Sequence, residues 1–294
     1  MMSPATTRSN SHFYITLEPS KLRYNLEPLT YDRYWRFAIL PSNINYEFCS
    51  QMETAPIQTY EFESAQNNYP IVFFEEDNEF RPHVVLSLLP KVNLALRNNT
   101  EWRKELYLPE EFRSYPFGII DITEQQRGNA SFADSFSLSF SDSQPTSLLG
   151  IAPRNPMLIS TQENHPLSHN LFLSDGSVTP FVANIIRAQS ELKKEQVTTY
   201  SFCAALAAHG MLVKRSITLS FKDETQITLD GFYTASKSTF SNLSEHTITR
   251  WKELGYLDLL ELHWNSLSKW NVLMMLHERH LNRAIRNLRQ SRKN

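Results

Sequence analysis

The side chains with the most chemistry to offer are histidines. His165-Pro166-Leu167-Ser168-His169 sets two imidazoles four positions apart, and Asp175 follows closely. Two imidazoles and a carboxylate form the donor set of a facial non-haem iron site. A proline interrupts this segment, however, and a metal site needs rigid geometry with supporting hydrogen bonds. A pair of loop histidines is the favoured reading. His277-Glu278-Arg279-His280 falls one residue short of the H-E-x-x-H zinc-protease pattern. Imidazoles three apart on a helix can converge, but the glutamate is then misplaced as a base. A solvated helix end is favoured there.

Nucleophiles are equally sparse. No G-x-S-x-G elbow occurs. Cys203 lies in Phe202-Cys203-Ala204-Ala205-Leu206, an apolar helical context that suits a buried, inert thiol. It and Cys49 are the two cysteines, widely separated and without C-x-x-C spacing, so both are read as buried thiols. Only 7 glycines are present, and neither glycine-loop phosphate motif occurs. These residues assign no catalytic group, no cofactor site and no metal ligand set.

The formal net charge of -2 gives no whole-domain attraction to nucleic acid, and none is expected as a partner. The charge is uneven. Arg279, Arg283, Arg286, Arg289, Arg292 and Lys293 crowd the C-terminus. On a helix, Met274, Leu281, Ile285 and Leu288 share one face, and Arg279, Arg283 and Arg286 share the opposite one. The favoured reading is a core-packed helix whose basic end complements the helix dipole. The alternative is a docking arm for an acidic partner or membrane surface. Its candidate partner-binding residues are Arg279, Arg283, Arg286 and Arg289.

Stepping outward, the elements that must position these residues predict an α+β fold. Residues 1–12 read as a disordered tail. Short extended runs follow at Phe13–Leu17, Tyr34–Leu40, Tyr69–Phe74, His83–Leu88 and Phe117–Thr123, rich in β-branched and aromatic residues. Glu75–Glu79 and Asn98–Thr100 read as turns, and Pro109-Glu110-Glu111 opens a short helix. Ser-rich residues 131–147 contain the alternation Phe136, Leu138, Phe140, a half-buried strand. Residues 141–170 hold Pro145, Pro153, Pro156 and Pro166 and read as a long surface loop.

In the second half, Thr179-Pro180 caps and starts a helix carrying Phe181, Ile185, Ala188 and Leu192, then Tyr200, Cys203 and Leu206. It is one long helix, or two with a break near Lys193–Thr198, and Gly210 closes it. Ile217–Phe221 and Ile227–Leu229 alternate around Lys222–Thr225, a β-hairpin. Ser244 caps a helix to Leu254 that Gly255 ends, and a last helix covers roughly Tyr256 to Gln290. Trp264, Leu267, Trp270 and Met274 should face inward, with the helix integral through Leu281 and residues 283–294 a peripheral basic arm.

Four segments, in order, carry a resemblance. They are Tyr69-Pro70-Ile71-Val72-Phe73, Tyr115-Pro116-Phe117, Leu171-Phe172-Leu173-Ser174-Asp175-Gly176-Ser177-Val178-Thr179-Pro180-Phe181, and Gly231-Phe232 through Trp251-Lys252-Glu253-Leu254-Gly255-Tyr256-Leu257 to Leu267. Together they resemble the SapC family, named for a bacterial surface-layer-associated protein. The SapC-like region is placed at 13–282, as a β-rich part over 13–148 and a helix–hairpin–helix part over 171–282, with the 141–170 loop as an insertion. The resemblance implies an accessory protein of the bacterial surface layer or envelope that acts by protein binding, with surface-layer or envelope proteins as partners. It carries over no catalytic residue. The competing classes are a metal-dependent enzyme of non-haem iron oxygenase type and a scaffold for a partner enzyme. No window approaches the roughly 18 apolar residues of a transmembrane helix, and the polar start lacks the apolar core of a secretory signal. The expected location is cytoplasmic, with the cell surface by a leaderless route as the alternative.

Overall fold

A computed structural model describes residues 11–20, 25–121, 137–138 and 147–291. About 40% helix and 27% strand, the strands joined mostly as antiparallel pairs, make the fold α+β. The chain partitions into two units, and each gathers pieces from both halves of the sequence. The first unit is Met1–Lys21, Ser50–Pro109 and Thr199–Asn294, and the second is Leu22–Cys49 and Glu110–Thr198.

The first unit is built on a six-stranded sheet. Its longest strand, Gln226–Ala235, forms the expected hairpin with Leu212–Ser220. Ile217 pairs Leu229 and Leu219 pairs Ile227, as the period-two alternation requires. The other edge of Gln226–Ala235 is shared. His12–Thr16 runs parallel to its first half, and Ile71–Glu76 meets its second half antiparallel at Tyr233 and Phe73. Glu79–Val85 and Thr54–Pro56 complete the sheet. The acidic turn is a two-residue hairpin loop. Asp77 and Asn78 both take positive φ, as a turn matched to strand twist demands.

Helices cover this sheet through aromatic contacts. Phe202, near the end of the helix Pro180–Ala208, lies 5.2 Å from Tyr256 and 6.2 Å from Phe62, ring to ring. Phe232 sits 5.7 Å from Trp270. Phe62, Phe73, Phe202 and Phe232 are fully buried, each worth roughly 1.5–3 kcal/mol relative to exposure. The helix Pro180–Ala208 is unbroken, which settles the open question at Lys193–Thr198. Its end is a left-handed Gly210 cap: Met211 N–H donates to Leu206 O at 2.9 Å and Gly210 N–H to Ala207 O at 3.0 Å.

The second unit centres on Ser147–Ile151. This strand pairs Phe117–Asp121, Glu27–Pro28 and Ser137–Leu138, and all five of its residues are buried. Its core gathers Leu29, Tyr34, Tyr115, Leu149, Ile151 and Val182. Phe37–Ile39 forms a separate small sheet with Leu158–Ser160 and His169–Asn170.

Several expectations need correction. The segment read as a long surface loop holds three strands, Ser147–Ile151, Leu158–Ser160 and His169–Asn170, since Pro153, Pro156 and Pro166 separate short elements instead of preventing them. Tyr34 ends a helical turn, with its N–H donating to Thr30 O, and the strand begins only at Phe37. The first strand starts at His12, inside the span read as a tail. The last helix is two. Tyr256–Ser266 and Trp270–Ser291 are separated by a tight turn at Leu267–Lys269, where the Ser266 and Ser268 hydroxyls donate to carbonyls three residues back. The tail through Asn10, most of the Ser-rich 131–147 stretch and residues 141–146 lie outside the described residues, as do Arg292 and Lys293.

Candidate functional site

The motif histidines do not assemble. His165 is exposed, and its Nδ1 accepts the N–H of Leu167 at 3.2 Å. The His169 ring stacks on Phe181 at 4.6 Å. Asp175 accepts from the N–H and hydroxyl of Ser177, which hold its carboxyl below the usual range. Among the described residues no group of three or more His, Cys, Asp or Glu converges as a metal ligand set. The Leu171–Phe181 motif is accounted for as local structure. Asp175 and Gly176 make a turn closed by the Leu173 N–H to Ser177 O bond, and Gly176 has φ +87. The Thr179 hydroxyl donates to Asn170 O at 2.7 Å at the helix start. Cys203 is buried as expected, and burial pushes its thiol up to about 12.

His277 departs from the expectation of a solvated helix end. It is buried, its ring 4.9 Å from Phe221 on the hairpin. Burial, then the neighbouring His280, lowers its pKa against the opposing carboxylates of Glu278 and Asp223. His277 marks the end of the buried part of its helix. Trp270, Leu273, Leu276 and His277 are buried, and Met274 is half-buried.

Beyond His277 the apolar stripe continues uncovered. Leu281 is 42%, Ile285 47% and Leu288 64% exposed. The core-packed reading of this face, and the view that the helix is integral through Leu281, are corrected: packing stops one turn earlier. The opposite face carries Arg279, Arg283 and Arg286, and Arg289 flanks the stripe; all four are exposed. None of the four forms an ion pair among the described residues; Arg283 donates only to Asn98 Oδ1, at 3.0 Å.

More cations flank this helix, brought there by the fold. Arg97 and Arg103 stand on and beside the two-stranded turn Leu96–Trp102, and Glu105 binds both: Arg97 donates to its two carboxylate oxygens at 3.1 and 3.0 Å. Burial lowers the Arg103 pKa, and the guanidiniums of Arg97, Arg283 and Arg279 add to that effect. His280 is lowered by burial and by Arg103 and Arg283. Glu105 thus pairs with Arg97 and Arg103, while Arg279 and Arg283 act on Arg103. No spacing rule links residues 97–105 to residues 279–283.

A second feature lies where two strands abut along Gln226–Ala235. His12–Thr16 ends and Ile71–Glu76 arrives head-on, leaving an open groove of about 730 Å³. Gly231 stands at the junction with φ +86, and a Cβ there would lie 2.4 Å from Leu17 O. The ladder to Leu212–Ser220 is shifted at the same level, between Arg215 and Ile217. Lys214 and Arg215 line the groove together with Glu18, Glu75 and Asp230, and the Tyr233 hydroxyl donates to Glu75 at 3.0 Å. The lining mixes both signs of charge and holds no histidine or cysteine. It offers contacts but no nucleophile–base pair.

With the geometry in place, the comparison with family models is direct: the SapC model matches residues 33–273, most of the chain. The chain belongs to the SapC family. No curated protein and no solved structure matches it. The SapC match takes in both units and stops at Leu273 on the last helix, so the exposed stripe and the arginines from Arg279 onward lie past the shared region. Three motif segments of the SapC resemblance fall on structural positions: Tyr69 and Ile71–Phe73 at the sheet, Tyr115 and Phe117 in the second unit's core, Gly231 at the strand junction. No helix among the described residues is long and apolar enough to cross a membrane.

Proposed function

We propose that this SapC-family chain is an accessory protein of the bacterial surface layer or envelope that acts by binding another protein, and that its docking element is the free end of the helix Trp270–Ser291. The observation carrying the reading is that Leu281, Ile285 and Leu288 continue a buried apolar stripe into solvent, while Arg279, Arg283 and Arg286 on the other side, and Arg289 beside the stripe, form no ion pair among the described residues. Exposed apolar side chains aligned on one helix face mark an interaction surface when no element of the same chain covers them. The association with the surface layer rests on the family, and the binding mode rests on the helix.

Co-sedimentation with surface-layer material from the host tests the reading. The full chain should sediment with that material in low salt and be released as salt rises, because guanidinium contacts are screened over about 8–10 Å at ordinary ionic strength. A chain ending at His280 should remain in the supernatant. Equal sedimentation of the two chains would remove the helix from the function; no sedimentation of either would remove the surface layer.

A further inference from the structure

The spacing of the uncovered stripe narrows the partner. Leu281, Ile285 and Leu288 follow a four-then-three rhythm, and Met274 lies one heptad before Leu281. In heptad terms Ile285 is an a position, and Met274, Leu281 and Leu288 are d positions; the a position before Ile285 is Glu278, so the wholly apolar seam is Leu281–Leu288. A β-branched residue at a with leucine at d is the two-stranded preference. The stripe is one side chain wide, as in a coiled-coil seam and unlike the broader face of a helix packed in a globular core. Arg289 takes an e position beside the seam, Arg279 and Arg286 take b positions, and Arg283 takes f.

Two other occupants fit less well. A helix that lies in a lipid interface relies on a broad apolar face with large aromatic anchors, and no aromatic residue follows Trp270. A second copy of this helix would set cations beside cations, because no acidic residue follows Glu278. Further cations stand nearby: Arg97 and Arg103 pair with Glu105, and Arg279 and Arg283 act on Arg103.

We infer that the docking element receives a single amphipathic α-helix from a partner protein, one with an aliphatic a/d seam flanked by carboxylates, to form a short two-stranded coiled coil. This deepens the proposed function and rests on it. The partner's seam meets Leu281, Ile285 and Leu288, and its acidic flank meets Arg289 and the guanidinium field that extends to the Leu96–Trp102 turn.

The test uses the full chain and synthetic peptides about three heptads long, read by fluorescence anisotropy. One peptide has Ile at a, Leu at d and Glu at e and g; a second carries Lys at e and g; a third keeps Glu but has Ser along the seam. Only the first should bind. The double variant Ile285→Ser/Leu288→Ser should weaken that binding by roughly tenfold or more. Arg286→Gln/Arg289→Gln should weaken it several-fold and flatten its salt dependence. All four positions are exposed, so these variants should melt with the parent. Failure of the Glu peptide to bind, or binding indifferent to the seam substitutions, overturns the inference. So does sedimentation of the chain with phosphatidylglycerol vesicles, or a dimer that the seam substitutions dissolve. If the peptides fail while surface-layer material still captures the chain through residues past His280, the helical partner is wrong and the function proposal stands. If neither binds, both fall.

Discussion

The Nε2 of His263 accepts the backbone N–H of Ala235 at 3.0 Å, in a fully buried position. Three residues on, Ser266 accepts the N–H of Ile71 at 2.9 Å through its hydroxyl, which in turn donates to His263 O. Trp264 Nε1 donates to Ala235 O at 2.8 Å. The helix Tyr256–Ser266 therefore caps main-chain groups of two different strands with side chains. Such pairing matters because a buried N–H without an acceptor costs about 1–3 kcal/mol.

His263→Ala should accordingly destabilise the protein by roughly 2–4 kcal/mol, combining a lost acceptor with a cavity beside Phe73, whose ring is 5.1 Å away. Ser266→Ala should lie nearer 1–3 kcal/mol, because only the hydroxyl is lost. Urea unfolding with an unchanged denaturant slope is the measurement. A loss below about 0.5 kcal/mol for either variant would show that the strand end relaxes to find another acceptor.

Acid should loosen the first unit. Burial lowers the pKa of His83, His263 and His277 from 6.5, His263 to about 3. A lowered histidine is neutral when folded, so the unfolded chain takes up protons first as pH falls. The stability is fully present above the unfolded value and is lost progressively below it, down to about pH 3 for His263. Each such histidine contributes a slope of up to about 1.4 kcal/mol per pH unit in that window. Unfolding midpoints at pH 7, 6 and 5 should decline, and His263→Gln should be less stable at pH 7 but show a shallower decline. A flat profile would contradict neutral burial.

Gly231→Ala should disturb the strand junction. The new methyl carbon would lie 2.4 Å from Leu17 O, and φ +86 is unfavourable for any side chain. The backbone must shift, at a cost on the order of 1–3 kcal/mol or more. Hydrogen exchange should show faster opening of Ile15 and Leu17 amides than of Phe73. Parent-like protection across His12–Leu17 would mean that the bend survives without glycine.

Truncation after Asn282 should change little. Every residue from Leu281 to Ser291 is exposed, so the melting temperature should fall by no more than a degree or two, within the range of ordinary surface changes. A truncated chain that fails to fold would place Ile285 and Leu288 in a core.

Local patterns made much of this readable in advance. The hairpin around Lys222–Thr225, the Thr179-Pro180 start, the Ser244 cap and the glycine ends at Gly210 and Gly255 each follow from short-range chemistry. The Ser244 hydroxyl, for instance, accepts the Thr247 N–H at 3.1 Å. Ser147–Ile151 escaped because a strand buried on both faces has no alternation and is bracketed by prolines. The exposure of Leu281 escaped because a helix face is apolar by sequence but covered or bare by tertiary structure. The Arg97, Arg103 and Glu105 group escaped for a related reason: it joins Arg279 and Arg283 only through the fold.

The pairing of His12–Thr16 with Gln226–Asp230 has a consequence for how the chain comes off the ribosome. The hydrogen bond between His12 and Thr228 spans 216 positions. At roughly 5–20 residues per second of synthesis, the N-terminal strand emerges about 10–40 s before its partner exists. In that interval Phe13, Tyr14 and Ile15 form an apolar strand with a bare edge, the kind of segment that seeks any available sheet. A nascent chain stalled before residue 226 should therefore be a client for holding chaperones, and a release-and-refold step should follow once Gln226–Ala235 clears the exit tunnel.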